Sequence, residues 1–346
     1  SFEASDVNKY ILTPIYSGED YMSYMDVMPN IKGNTKIDHF GSAEKGTLGF
    51  TEGAFATNAD LATMSSVSIS PARMEFEQEF RGAQLFNKIK GQLMRGNFEY
   101  DNVEGTAVKQ ILMELIGKGV KSDLNRQLWH GCTLGSGSNF TTDVNYSEYN
   151  GLFTTAALAL TTSNSGQMLD AGDISGWGVG STSTWDKADA IELLNDMYEA
   201  APAALLEQEG LVFFVSGKVA DTYAQYLEDQ GSYLAFQQLK QGAGLSYRGI
   251  PLVVRRDWDR WVATDGAKIN GAHHGTAATA KLNLPFAMLT CRNAFVVGTD
   301  FNETSVEQWY SQDHKAYRFR VSYMIGAALT DPNLCVTFAP TAFKVA

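Results

Sequence analysis

Residues 106–129, TAVKQILMELIGKGVKSDLNRQLW, constrain this chain more than any other stretch. Their apolar members, Val108, Ile111, Leu112, Leu115, Ile116, Val120, Leu124 and Leu128, recur at steps of three and four. On a helix that spacing puts them in one stripe. Lys109, Glu114, Lys118, Lys121, Asp123 and Arg126 fall between them as the wet face, with Glu114 and Lys118 four apart in the favourable order. At about 1.5 Å per residue the helix is roughly 36 Å long, enough to cross a domain, so other elements must pack along it. Gly117 and Gly119 each weaken such a helix by about 1 kcal/mol relative to alanine. A sequence keeps that cost where something, such as a strand, must pass close by.

The rest of the composition says what surrounds the helix. The chain has 346 residues, 44% hydrophobic and 19% charged, with mean hydropathy −0.18. That is material for one large folded domain or two moderate ones. Thirty-two glycines against eight prolines point to many turns and extended segments rather than a helical bundle. No apolar run approaches the ~20 residues of a membrane helix. The opening SFEASDVNKYILTP has neither the basic nor the apolar region of a signal peptide. It also lacks an initiator methionine, which suggests a start at the first ordered residue or a leader cut away. Cys132, Cys291 and Cys335 are odd in number and widely spaced, so buried free thiols are expected rather than a disulfide framework or a zinc site. Three glycosylation-like triplets, beginning at Asn139, Asn145 and Asn302, carry no meaning without a secretion signal. A net charge of −12 and a pI near 4.9 disfavour broad adsorption to nucleic acid. They do not prevent a protein from enclosing it.

Residues 1–32 mix aromatic and aliphatic side chains with acids, broken by Pro14 and Pro29. They suit an arm laid on another surface as well as a segment packed on its own domain. Residues 33–70 turn to Gly, Ser, Thr and Ala, with strands expected at 35–40 and 65–70, a long two-stranded excursion. With so little core of its own, such a hairpin is marginal unless it lies on a partner. From Ala72 to Phe80 apolar and charged residues alternate, the mark of a half-buried strand. The apolar parity switches at Pro71, where a kink should join the excursion to the body. A short helix is expected over 83–95. Composition shifts again over 157–185. Beyond it, a helix from Lys187 to about Ala200 with a cap at Ser183, a strand at 211–215, a helix at 219–227 and a strand at 250–254 describe an α/β unit. Strands at 286–290, 294–297, 306–310, 316–329 and 334–338 close the chain.

No stretch forms an active-site motif. Gly210 to Lys218 lacks the P-loop spacing, and there is no G-x-G-x-x-G, H-E-x-x-H or G-x-S-x-G. His273 and His274 are adjacent in a small-residue loop with no third metal ligand nearby, so neither cofactor nor metal is expected. The densest cluster is Arg255-Arg-Asp-Trp-Asp-Arg-Trp261. Asp257 and Asp259 could form an acid/base pair. Arg partners would hold both ionised, however, and Arg and Trp are the types enriched at protein interfaces. An interface or surface salt bridges is the expected role.

Taken together, the order is arm, Gly-rich hairpin, alternating strand, long helix, polar loop, α/β unit and closing strands. It resembles the major capsid protein of tailed bacteriophages, the Hong Kong 97-type fold. Trp129-His-Gly131 followed by Tyr149-Asn-Gly-Leu152 resembles the family's passage after its spine helix. Tyr247-Arg-Gly-Ile-Pro251 resembles its Y-x-G-I-P strand start, and Phe286 to Thr290 with Asn293 to Gly298 its later strand, turn and N-L-x-x-G. Arg320 through Gly326 to Pro332 resembles the last strand pair. The resemblance spans nearly the whole chain, and its specificity lies in the order of the motifs.

What it implies is an α+β fold with an N-terminal arm (1–32), an extended hairpin loop (33–71) and a peripheral domain with a spine helix (72–158). An axial domain (159–285) and closing strands returning to the peripheral domain (286–346) complete it. The implied role is a non-enzymatic structural subunit of the virion capsid, assembled in the bacterial host cytoplasm. It would join itself in pentamers and hexamers around double-stranded DNA, with scaffolding, portal and decoration proteins as further partners and no membrane. Inter-subunit contacts are expected at Lys36, His39, Phe40, Lys45, Phe50, Phe55, Arg73, Arg255, Arg256, Trp258, Arg260 and Trp261. The family's Lys–Asn cross-link is not expected, because the surroundings of Lys36, Lys45 and Asn333 do not match. Two alternatives stand: an encapsulin-type nanocompartment shell, and an α+β enzyme with a pocket near 257–283 under a loop at 262–283.

Overall fold

The computed structural model describes residues 23–42, 62–81, 107–133, 146–169, 185–230, 244–264, 285–292, 294–300, 305–314 and 316–338. The helix expected at 83–95 and the loop at 265–283 lie outside the described residues.

The long helix forms as its spacing requires, α1 at Ala107–His130. Ile116, Val120, Leu124 and Leu128 are its buried stripe, and Trp129 at its end is fully buried. Leu115 departs from the expected stripe and is 56% exposed, because the buried line runs through Ile116 instead. The passing strand that the helix glycines called for is β4, Ala72–Arg81. A Cβ on Gly119 would meet the tip of Phe76 at 3.3 Å, so the missing side chain lets the strand lie close.

β4 pairs along one edge of the longest strand, β12 (Ala316–Leu329), from Arg81↔Ala316 to Ala72↔Ile325. The other edge of β12 is shared by β11 (Ser305–Ser311) and β10 (Phe295–Thr299). β1 (Asp26–Pro29) adds to β10 in parallel and completes a five-stranded sheet. Thus the last part of the segment read as an arm is a strand of the body.

The second, six-stranded sheet runs β5-β13-β9-β6-β8-β7. Its members are β5 (Met168–Leu169), β6 (Val212–Ser216), β7 (Ser246–Tyr247), β8 (Ile250–Arg255), β9 (Ala287–Thr290) and β13 (Cys335–Phe338). The closing strands therefore do not return as one group: β9 and β13 join the α/β sheet, while β10, β11 and β12 join β4. β6, β9 and β13 are buried throughout, which is why they read as continuous apolar runs. β7 and β8 are joined by Arg248 and Gly249, both at positive φ, the turn geometry that matches strand twist.

The helices of this half are α2 (Leu152–Ser163), α3 (Lys187–Glu199), the short α4 (Ala203–Leu206), α5 (Gly217–Gln230) and α6 at residues 256–264. α2 opens with the buried Leu152 and Phe153 and is a helix that the sequence reading does not assign. α3 starts where expected, but its cap is Asp186, not Ser183. The Asp186 carboxylate accepts from the amides of Ala188 and Asp189 at 2.8 and 3.2 Å, and Asp189 accepts from the Asp186 amide at 2.8 Å. This reciprocal pair satisfies amides that a helix start leaves unpaired. A single apolar core connects both sheets. At its centre Trp129 meets Trp258, Phe214 and Phe153 with ring centroids 4.8, 5.3 and 5.9 Å apart.

Candidate assembly surfaces

The excursion is a hairpin of β2 (Thr35–Ser42) and β3 (Ala62–Ile69), paired from Thr35↔Ile69 to Ser42↔Ala62. It forms a two-stranded sheet separate from the two larger ones. Alternation splits its faces. Ile37 and Val67 are half-buried against the body, while Lys36, Asp38, Ser66 and Ser68 are exposed. Of the contact residues expected here, Lys36 is on the exposed face, and His39 and Phe40 lie on β2. Lys45, Phe50 and Phe55 lie outside the described residues.

A second polar surface is the outer face of β4, β12 and β11. Arg318 donates through Nε and Nη2 to the Glu79 carboxylate, both at 3.0 Å. Arg320 donates to Glu77 at 2.7 Å and lies 4.0 Å from Glu307. Trp309 on this face is 39% exposed, with the Arg320 guanidinium 5.8 Å from its ring centre. Arg73 on β4 is exposed, 3.5 Å from Glu75. Among these residues the sequence singled out Arg73 alone. The charge alternation of 73–79 and 318–322 was visible, but which strands pair was not.

The cluster at 255–261 has a different role from the expected one. Trp258 is fully buried and Trp261 is 6% exposed, so these two rings fill the chain's own core rather than offering a surface. Arg255 is 5% exposed, ion-paired to Asp257, with its guanidinium 5.7 Å from the Trp129 ring centre. The physical reason is the helix α6: its one-turn spacing turns Trp258 and Trp261 inward together. Two members do stay on the surface. Arg256 makes paired hydrogen bonds to Asp221 at 2.9 and 3.1 Å, and Arg260 donates to the Ser122 hydroxyl at 3.3 Å.

The two carboxylates are committed as well. Asp259 accepts from the amides that open α5, among them Lys218 N–H at 3.4 Å. Burial raises the Asp259 carboxyl above its ordinary range, against the opposing pull of those amides. Burial also lowers the Lys218 ammonium, which the neighbouring Asp259 charge partly restores. A cavity of about 250 Å³ between α1 and α6 is lined by Lys118, Lys121, Ser122, Asn125, Asp257, Arg260 and Trp261. Asp257 and Asp259 belong to an ion pair and a helix cap, so neither is arranged as a general acid. Among the described residues no group of three or more His, Cys, Asp or Glu could hold a metal ion, and no helix could cross a membrane. The three cysteines are buried and form no disulfide, and burial pushes the Cys291 and Cys335 thiols up. The Asn333 side chain accepts from Asn164 at 2.9 Å and donates to Asp331 at 3.0 Å.

No protein-family model matches the chain, and no curated protein matches it. Solved structures do. A chain of the satellite phage P4 procapsid, a particle including the size determination protein Sid, matches with TM-score 0.61 and 11% identity, over 99% of this chain and 92% of that one. Gordonia phage Cozz gives TM-score 0.55 and 12% identity, over 95% and 87%. The capsid of an empty GTA particle gives TM-score 0.51 and 12% identity, over 93% and 89%. With these two sheets, the long helix and the hairpin, this chain has the fold of phage capsid proteins, the Hong Kong 97 type.

Proposed function

We propose that the chain is the structural subunit of an icosahedral phage capsid, assembling with itself in pentamers and hexamers into a shell around double-stranded DNA. The observation that carries this reading is the match to a procapsid chain over nearly the full length of both partners. Two features support it. The hairpin β2–β3 is a ribbon with one polar face, the kind of element that gains stability by lying on a second copy. The net charge of −12 suits a wall that must hold packed DNA without adsorbing it. In this reading residues 1–32 are the arm, 33–71 the extended loop, 72–158 the peripheral domain and 159–285 the axial domain. The strands of 286–346 are shared between the last two. Lys36, His39, Phe40, Lys45, Phe50, Phe55, Arg73, Arg256 and Arg260 remain the proposed contacts. Each contact is weak, and repetition over many copies makes the shell stable.

The test is negative-stain microscopy of the purified protein, with its mass in solution measured alongside. Closed shells, or rings of five and six subunits, are expected. A chain that stays a 37.9 kDa monomer at high concentration across a range of salt and pH would overturn self-assembly.

A further inference from the structure

We infer that the glycine pair Gly298–Gly326 is a socket that fixes the angle of the hairpin on the body, with Ile69 as the side chain seated in it. Among the described residues the hairpin strands pair with each other and with neither larger sheet. The angle of the hairpin is therefore set at its two roots, by the chain connections there and by the side chains packed around them. Ile31 and Ile69 flank the hairpin and are 5% and 0% exposed. They do not belong to the main core. With Val296 and Ala328 they form a small separate apolar cluster, against which Met28, Ile37 and Val67 pack.

The floor of that cluster is unusual. Gly298 of β10 and Gly326 of β12 sit directly opposite each other in the antiparallel ladder. A Cβ on Gly298 would meet Ile31 Cδ1 at 2.7 Å and Ile69 Cγ2 at 3.2 Å. A Cβ on Gly326 would meet Ile69 Cγ2 and Pro71 Cα at 3.0 Å each and the Ser70 carbonyl oxygen at 3.2 Å. Glycine weakens a strand, and two facing each other are kept where a close approach requires them. One methyl group of Ile69 lies over both. The other root is fixed at the same place, since Ile31 N–H donates to the Thr299 carbonyl at 3.2 Å. Both ends of the hairpin thus converge on one glycine pair.

Ser68 points to the opposite face of β3 from Ile69. It lines a cavity of about 350 Å³ together with Ser70, Thr133, Asn150, Thr155, Ala327 and Gly326 itself, so the root borders open space beside the glycine pair. Loss of the Ile69 contact therefore leaves the hairpin room to rotate. The inference concerns the single subunit and does not depend on shell assembly. In a shell, a fixed angle would present the hairpin pre-organised, lowering the entropy lost on contact.

The experiment places spin labels by Ser66→Cys on the hairpin and Glu209→Cys on the body, both exposed positions. The three native cysteines are buried, which keeps labelling selective. Pulsed electron resonance on the unassembled chain then reads the distance distribution. The expected result is one narrow peak in the parent and at least a doubled width in Ile69→Ala. Ile69→Val, which keeps Cγ2, should retain the parental width. A body-only pair, Glu209→Cys with Ala263→Cys, should be unchanged in every variant. Should Ile69→Ala not fold, Gly298→Ala serves in its place: it meets only side-chain ends and should shift or broaden the hairpin distance. A broad parental distribution, or a parental width in Ile69→Ala or in its substitute, would overturn the inference.

Discussion

Replacing Trp258 with alanine separates the two roles that the 255–261 cluster could have. Trp258 has no exposed surface, and the rings of Trp129 and Phe153 meet it nearly edge-on with centroids 4.8 and 5.1 Å away. His130 contributes a third ring at 6.0 Å. Truncating a buried tryptophan to alanine costs about 3–5 kcal/mol, from lost transfer energy and the cavity left behind. Aromatic pairs of this geometry add about 0.5–1.5 kcal/mol beyond burial, which moves the expectation to the upper end, about 5 kcal/mol. With a urea slope of about 3 kcal/mol per molar, the unfolding midpoint should fall by about 1.5 M. Far-ultraviolet circular dichroism of the unassembled subunit is the suitable probe, because the substitution removes a fluorophore. Trp258→Phe keeps part of the ring contacts and should lose less than half as much. A midpoint shift under about 0.3 M, together with lost self-association, is what an interface residue would give. That result would refute the burial argument.

Three further outcomes follow from other parts of the structure. Burial raises the Asp259 carboxyl above its ordinary 3.8, so the folded chain holds this proton more tightly than the unfolded chain. The stability it contributes is full below pH 3.8 and is lost as pH rises through the raised value. Asp259→Asn keeps an oxygen for the α5 amides and should flatten the fall in urea midpoint just above that pH; an unchanged slope would contradict the assignment. Arg318→Ala breaks a half-exposed pair with Glu79 and should cost less than about 1 kcal/mol at low salt and less again at 1 M NaCl, read from unfolding midpoints. Deleting residues 41–53 should leave a subunit with parental circular dichroism that fails to form stable shells in negative stain. An unfolded deletion variant would show that this part of the hairpin belongs to the core.

The elements with a strong period were legible. The stripe of 106–129, the alternation of 72–80 and the apolar runs of 211–215 and 286–290 each became the expected helix or strand within a few residues. Local side-chain chemistry decides such segments, and it is written in adjacent positions. The joint at Pro71, where β3 ends and β4 begins, was legible in the same way. What failed to show was anything set by a partner distant in sequence. α2 was hidden because a small-residue helix carries little polar contrast, and its buried residues, Leu152, Phe153, Thr154, Ala156, Ala157 and Leu160, spread over more than half of its circumference. Arg255–Trp261 looked like a surface because five of its seven residues are charged. Only the helical turn reveals that two tryptophans point inward while Arg256 and Arg260 point out.

The chain's own text thus determined the order of elements, the long helix, the alternating strand, the thinly cored hairpin and the acidic balance. From these came the capsid-type fold. Tertiary structure decided the rest: the placing of β9 and β13 in one sheet and β10 to β12 in the other, the burial of Trp258, and the seating of Ile69. The facing of Gly298 and Gly326 is the clearest case. They are 28 positions apart in sequence, and nothing near either one names the other. Their meeting depends on the antiparallel register of β10 and β12, which is fixed by packing across the whole sheet rather than by any local preference.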